Sequence, residues 1–181
     1  MKMYHFKVVS IFSLILLLFS CFSVKTKKHK RAEPYTGPQV VSTNLDVVFT
    51  DSAKVSMKMK AKTQIILQNE DQEFPEGIFV EFYNDKEEKY SILKSNYAYF
   101  NQQKELWKIQ GDVYVENLEK GQKLETQEMY WKPSSGDITV EDKDSVKITE
   151  PDQILWGKGL TAKDDFSYYK IKKPSGFRFI D

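Results

Sequence analysis

One stretch of the chain, residues 106–117, reads Leu106-Trp107-Lys108-Ile109-Gln110-Gly111-Asp112-Val113-Tyr114-Val115-Glu116-Asn117. Apolar side chains alternate in it with polar or mixed ones: Trp107 and Ile109 in the first half, Val113 and Val115 in the second. Because successive side chains of a β-strand point to opposite faces, this period of two predicts a long strand with one buried face. The stretch therefore favours a β-fold.

The same alternation extends over the chain from about residue 44 onward. It recurs at residues 55–61, 78–82, 138–140, 146–148 and 169–171. Turn-forming sequences such as Asn84-Asp85 and Ser134-Ser135-Gly136 separate these segments, and no segment shows a sustained helical period. Strands of this length at such spacing are typical of sandwiches and barrels, so the sequence predicts an all-β domain.

A short motif repeats at a constant offset of 31 residues. Its copies are Leu93-x-Ser95-x-x-Ala98-Tyr99, Leu124-x-Thr126-x-x-Met129-Tyr130 and, more weakly, Leu155-x-Gly157-x-x-Leu160-Thr161. A stack of strand pairs that repeats in this way predicts an open β jelly roll that lengthens by adding units. Ordinary hairpin spacing in an unrelated β-protein is the alternative.

The predicted domain lacks the residues that most catalytic and metal chemistry requires. The chain has one cysteine, Cys21, and two histidines, His5 and His29, all before residue 32. This argues against Cys/His or Ser/His catalysis, the usual zinc sites and intrachain disulfides. We therefore predict a protein that is not an enzyme, with no catalytic residue, cofactor or metal site. The formal net charge of +1 gives no basis for nucleic-acid binding.

The N-terminal segment resembles a bacterial lipoprotein signal. Lys2 and Lys7 precede an apolar stretch, residues 8–19, and Leu18-Phe19-Ser20-Cys21 follows the pattern of a cleavage site before a lipidated cysteine. An uncleaved anchor helix, at the short limit for spanning a membrane, is the alternative. Both interpretations export the domain and attach it to a membrane. The predicted segments are a signal peptide or anchor at 1–20, the lipidated Cys21 with a basic tether containing Pro and Gly at 21–43, and the lipid-binding jelly roll at 44–181.

Several motifs, taken in order, resemble the LptC family, the periplasmic component of lipopolysaccharide export. The resemblance covers about residues 42–173, and better-known members keep a transmembrane helix where this chain looks lipidated. The motifs are Ser52-Ala53-Lys54, Pro75-Glu76-Gly77, Val80-Glu81-Phe82-Tyr83-Asn84, Ser95-x-x-Ala98-Tyr99, Gly111-Asp112-Val113-Tyr114-Val115-Glu116-Asn117, Gly121-x-x-Leu124-x-Thr126 and Gly157-Lys158-Gly159-Leu160-Thr161-Ala162.

The resemblance implies a periplasmic function without enzymatic chemistry. It also implies an open, twisted β jelly roll with an apolar interior, through which the acyl chains of lipid A are expected to pass. The expected partners are the inner-membrane Lpt ABC transporter, which supplies lipopolysaccharide, and the periplasmic bridge protein LptA, which receives it. The expected location is the periplasmic face of the inner membrane, with the outer membrane as an alternative.

The resemblance also gives the alternating residues a function. We predict that they line a lipid groove: Phe82, Trp107, Ile109, Val113, Val115, Trp131, Ile138, Val140 and Ile148. An acyl chain moved from water into such a groove gains about 0.8 kcal/mol per methylene group. A dry, closed core is the alternative interpretation of the same residues.

Two other function classes stay open, and two local motifs are given structural interpretations. One class is a structural envelope lipoprotein that binds only proteins, through its sheet edges. The other is a polysaccharide-active enzyme, which needs two converging carboxylates; the sequence does not locate such a pair. Gly157-Lys158-Gly159 lacks the spacing of a phosphate-binding loop and predicts a β-bulge or a tight bend of the strand. Glu141, Asp142 and Asp144 are interpreted as solvated charges rather than calcium ligands.

Overall fold

The computed structural model of the protein describes residues 34–179. No helix occurs among these residues, so the predicted all-β fold is confirmed. The strands belong to one compact unit, Thr36–Asp181. They are β1 Val40–Asp51, β2 Lys54–Ile66, β3 Gln72–Phe74, β4 Ile78–Tyr83, β5 Lys89–Ser95, β6 Tyr97–Asn101, β7 Leu106–Asn117, β8 Gln122–Lys132, β9 Asp137–Glu150, β10 Gln153–Lys163 and β11 Tyr169–Arg178.

The first strand starts before the predicted domain boundary. β1 begins at Val40, within the segment 21–43 that the sequence assigns to the tether. Val40 pairs with Ile66 of β2, and β-branched side chains suit such cross-strand contacts. The predicted signal peptide and Cys21 lie outside the described residues.

All strands join one antiparallel sheet that is folded over on itself. β7 pairs with β6 through residues 106–110 and with β5 through residues 114–117, and β2 divides its pairing between β4 and β3 in the same way. We call the half-sheet that contains β4 and β5 layer A, and the half that contains β3 and β6 layer B. β1, β2 and β7–β11 continue through both layers.

The described part of the sheet does not close into a barrel. β1 pairs with β2 alone and β11 with β10 alone, so these two strands are free edges. A folded sheet with two free edges is consistent with the predicted open jelly roll.

Bulges on neighbouring strands bend the sheet between the layers. β7 has Gly111 and Asp112 in the left-handed conformation, where its register with β8 shifts. β10 has Gly159 at φ +69°, where its register with both neighbours shifts after Lys158. An extra residue on one strand bends it and increases its twist, so these bulges fold the long strands in two. The bulge predicted for this glycine-containing motif is confirmed.

The internal repeat corresponds to one row of buried side chains in layer A. Leu93 of β5 pairs with Val115 of β7, which pairs with Leu124 of β8. Ile148 of β9 separates Leu124 from Leu155 of β10. Each copy of the motif therefore brings the polypeptide back to this row of layer A, where its leucine packs in or against the core.

Candidate functional site

The residues predicted to line the groove all face the interior between the layers. Phe82 is half-buried and packs against the rest of the hydrophobic core. The others are buried, with at most 9% of their surface exposed: Trp107, Ile109, Val113, Val115, Trp131, Ile138, Val140 and Ile148. The structure brings the whole predicted set together, and its role in lipid binding stays a prediction.

The interior also contains residues that the sequence analysis missed. Leu124 and Met129 are 0% exposed and pair with Val115 and Ile109. Both belong to the second copy of the repeat, which was the signal that could have identified them. Phe166 is also buried, but it lies between β10 and β11, where no periodic pattern marks it.

Side chains fill almost all of the space between the layers. A cavity of about 20 Å³ lies there, lined by Phe82, Tyr90, Ser91, Leu93, Val115, Met129, Trp131, Ile138 and Asp164. This volume accommodates about one water molecule and is far too small for an acyl chain. The layers must therefore separate before an acyl chain can occupy the interior.

Aromatic side chains close the opening between the layers on the side opposite the bend, which we call the mouth. Phe82 of layer A meets Trp131 of layer B edge-on, with ring centroids 5.6 Å apart. The contacts continue from Trp131 to Trp107 at 6.5 Å and from Trp107 to Phe100 at 5.0 Å. Because an aromatic pair contributes about 0.5–1.5 kcal/mol beyond its buried area, the Phe82–Trp131 contact stabilises the closed mouth.

The loop between β10 and β11, residues 164–168, crosses the mouth. The carboxylate of Asp164 accepts a hydrogen bond from Trp131 Nε1 at 3.2 Å within layer B. The carbonyl oxygen of Asp165 accepts one from Lys120 Nζ at 2.6 Å, and Lys120 lies in the turn that leaves layer A after β7. The loop therefore connects the ends of the two layers.

Burial, charges and hydrogen bonds shift the pKa values of two groups at the mouth, Tyr90 and Asp165. Burial, together with the negative charges of Asp164 and Asp165, raises the pKa of Tyr90. Hydrogen bonds from Ser167 lower the pKa of Asp165, so this carboxyl group is ionised at neutral pH. The mouth consequently combines an apolar lining with negative charge at its rim.

Three carboxylates lie close together on β8 and β9. The carboxylate oxygens of Glu128, Glu141 and Asp144 lie within 4.8 Å of one another. Lys108 Nζ lies 3.4 Å from Glu128, and Lys143 Nζ lies 2.8 Å from Glu141. These ion pairs compensate Glu128 and Glu141, whereas Asp144 Oδ2 is buried without a hydrogen-bond partner, so the interpretation as solvated charges does not hold for Asp144.

The two free edges of the sheet have opposite charge. β1 carries Asp46 and Asp51 and no cation. β11 carries no acidic residue, and its cations are Lys170, Lys172, Lys173 and Arg178. Since each edge strand has unpaired backbone groups that can accept another strand, the edges offer two electrostatically different surfaces for pairing.

The sequence model of a protein family described as lipopolysaccharide-assembly, LptC-related, matches residues 8–173. The chain belongs to the LptC family. This membership connects the protein with lipopolysaccharide transport in the cell envelope, and the LptC family is a family of transport components rather than of enzymes. A comparison with curated proteins gave no match.

The mode of membrane attachment concerns the N-terminal segment. Between residues 34 and 179, no helix is long and apolar enough to cross a membrane. The predicted attachment through Cys21, or through an anchor helix, falls outside that range.

Proposed function

We propose that this LptC-family protein carries lipopolysaccharide from the inner-membrane ABC transporter to the bridge protein LptA, with the acyl chains held between layers A and B. The observation that carries this proposal is the continuous apolar interior, which passes from strand to strand without interruption. Layer A alone contributes a row of residues that are at most 3% exposed: Val80, Leu93, Val115, Leu124 and Ile148. Met59 of β2 and the half-buried Leu155 of β10 continue this row, so it crosses seven strands, and at about 4.8 Å per strand it spans roughly 30 Å.

The closed interior is compatible with this function if an acyl chain replaces the contacts that the two layers make with each other. Separation breaks apolar contacts such as that between Phe82 and Trp131, but an acyl chain between the layers keeps the same surfaces out of water. The acyl chain itself gains about 0.8 kcal/mol of transfer free energy for each methylene group that leaves water. This gain has no direction, so directed transport requires energy from the partner ATPase.

The free edges support the proposed partners. An edge strand binds a strand of another protein through main-chain hydrogen bonds, which would join the interiors of neighbouring jelly rolls. Because β1 is acidic and β11 is basic, each edge favours a different partner strand. We expect Lys170→Glu combined with Lys173→Glu to slow association at β11 and to weaken its salt dependence. Lys104→Glu, in the exposed turn between β6 and β7, is the control.

We also propose that the signal peptide 1–20 directs export, and that the lipid on Cys21 and the tether 21–43 then attach the domain to the periplasmic face of the inner membrane. The position of the single cysteine after Leu18-Phe19-Ser20 supports this. Attachment of lipid to Cys21 increases the mass of the protein. Cys21→Ser should prevent this increase and release the protein from membranes. Unchanged mass and membrane association would instead support the anchor helix.

The small cavity favours a second candidate, a structural lipoprotein that binds only protein partners through its edges. The two functions differ in their response to lipid. We expect lipopolysaccharide to raise the melting temperature of the full-length protein, because a ligand that binds only the folded state stabilises it. The polysaccharide released by removing the acyl chains should have no such effect. If neither molecule changes the melting temperature while partner binding persists, the structural candidate is correct.

A further inference from the structure

The loop between β10 and β11 is fastened to both layers by a few polar contacts. On layer A, Asn117 Nδ2 and Lys120 Nζ donate hydrogen bonds to the Asp165 carbonyl at 3.4 and 2.6 Å. On layer B, the Asp164 backbone N–H donates to the Gly136 carbonyl at 2.9 Å. Water can replace each of these partners at modest net cost, because folding only exchanges hydrogen bonds with water for hydrogen bonds within the protein. The loop can therefore leave the mouth without unpairing any strand.

Phe166 belongs to this loop and buries its ring in the hydrophobic core. Its side chain is 3% exposed, although its backbone adopts φ +54°. A bulky residue in the left-handed region is strained, and such strain concentrates at ligand clamps and switch regions. Burial of the ring holds this conformation in place, so withdrawal of Phe166 would relieve backbone strain while it opens the interior.

The cavity behind the mouth shows which ligand chemistry could follow. Asp164 lines it at the rim, and the other lining residues include Leu93, Val115, Met129 and Ile138 from both layers. Tyr90 and Ser91 also line the cavity, but the Ser91 hydroxyl donates its hydrogen bond to the Glu116 carbonyl, so the cavity offers mainly apolar contact. The space that opens at the mouth would accordingly suit a narrow aliphatic chain whose polar end stays outside, in water.

We infer that the loop formed by residues 164–168 is a lid over a side port, through which acyl chains pass into and out of the interior. This inference rests on the proposed function and adds a route to it. The acyl chain inserts laterally between Phe82 of layer A and Trp131 of layer B when the lid leaves the mouth. Phe166 is the plug, and the Lys120–Asp165 hydrogen bond is the latch.

The latch can be tested by the rate at which the full-length protein takes up cis-parinaric acid, an aliphatic probe that fluoresces in apolar surroundings. Lys120→Met removes the ammonium group and keeps the length of the side chain. The loss of about one hydrogen bond should accelerate uptake roughly 3- to 10-fold. Lys123→Met removes the same charge from a lysine that lies 3.5 Å from Glu116, and uptake should stay at the wild-type rate.

A second pair of variants tests the plug. Phe166→Gly removes the ring and should also accelerate uptake. Glu105→Gly relieves the same left-handed strain (φ 50°) in an exposed turn without removing a buried side chain, so it should leave the rate unchanged. A melt of each variant shows whether the domain is still folded.

The outcomes separate the lid from the proposed function. Faster uptake by Lys120→Met, with Lys123→Met unchanged, supports the lid. If the wild-type protein takes up the probe and Lys120→Met and Phe166→Gly do so at the same rate, the lid is wrong, and chains enter at the free edges instead. If no form of the protein takes up the probe, the proposed function fails and the lid fails with it.

Discussion

Val113 lies between the layers with 1% of its surface exposed, one residue beyond the bulge that bends β7. The packed interior offers no space or partner for a charged group at this position. Val113→Asp should therefore destabilise the domain by several kcal/mol, because an unpaired buried carboxylate is costly. We expect loss of the cooperative thermal transition, or a large fall in melting temperature, in circular dichroism. Thr139→Asp, on an exposed position of β9, should melt almost as the wild type does. A normal melt of Val113→Asp would show that the interior holds water.

Asp71 is a buried carboxylate that sequence periodicity does not reveal, because it lies between β2 and β3. Tyr99 Oη donates a hydrogen bond to it, as do Asn69 Nδ2 at 2.7 Å and the backbone N–H of Gln102 at 2.8 Å. The hydrogen bond from Tyr99 is the main cause that lowers the pKa of Asp71 below 3.8. The carboxylate thus joins the start of β3 to the end of β6.

The lowered pKa of Asp71 predicts a pH dependence of stability. The unfolded chain binds the proton more tightly, so this contribution is fully present above pH 3.8 and is lost as the pH falls through the lower, folded-state pKa. Asp71→Asn should lower the free energy of unfolding by about 2–4 kcal/mol at neutral pH, because the groups that donate hydrogen bonds to Asp71 lose a charged acceptor. It should also lose less stability than the wild type on acidification, as measured by urea unfolding. Asp51→Asn, at the exposed end of β1, is the control, and equal acid sensitivity of Asp71→Asn and the wild type would contradict the assignment.

At the scale of the elements, turns and bulges determine how the alternating segments fold over one another. Alternation in the sequence was sufficient to predict the strands, and the Gly157-Lys158-Gly159 motif of β10 was sufficient to predict a bulge. Which strands divide their pairing between layers A and B could not be predicted. That division depends on contacts distant in sequence, such as those that β7 makes with both β5 and β6.

Gly77, between β3 and β4, shows how strictly one such turn is determined. It adopts φ +79°, and an added Cβ would overlap the carbonyl oxygen of Ser95. Gly77→Ala should therefore cost about 3 kcal/mol or more, through strain together with displacement of β5. Gly121→Ala shares the left-handed strain, but its Cβ would lie 3.4 Å from Pro151 Cγ. It should cost only about 1 kcal/mol, and equal losses in denaturant unfolding would contradict this explanation.

At the scale of the whole molecule, the sequence predicted the fold and the inward-facing residues because both follow from local alternation. It could not predict the closure of the interior, since closure depends on contacts between layers. Phe82 and Trp131 meet across the mouth although they are far apart in sequence, and Phe166 reaches the core from a loop. The start of β1 at Val40 was missed for a similar reason, because pairing with β2 orders a segment whose composition resembles a tether.

The central claim is that acyl chains of lipopolysaccharide occupy the space between the layers. Phe82 and Phe79 of β4 provide a matched test, because Phe82 points inward and Phe79 is 37% exposed on the opposite face. A photo-reactive phenylalanine analogue can replace either ring in the full-length protein in cells that export lipopolysaccharide. We predict that lipopolysaccharide crosslinks to the analogue at position 82 and not at position 79. Crosslinking at position 79 alone, or equally at both positions, would contradict the account.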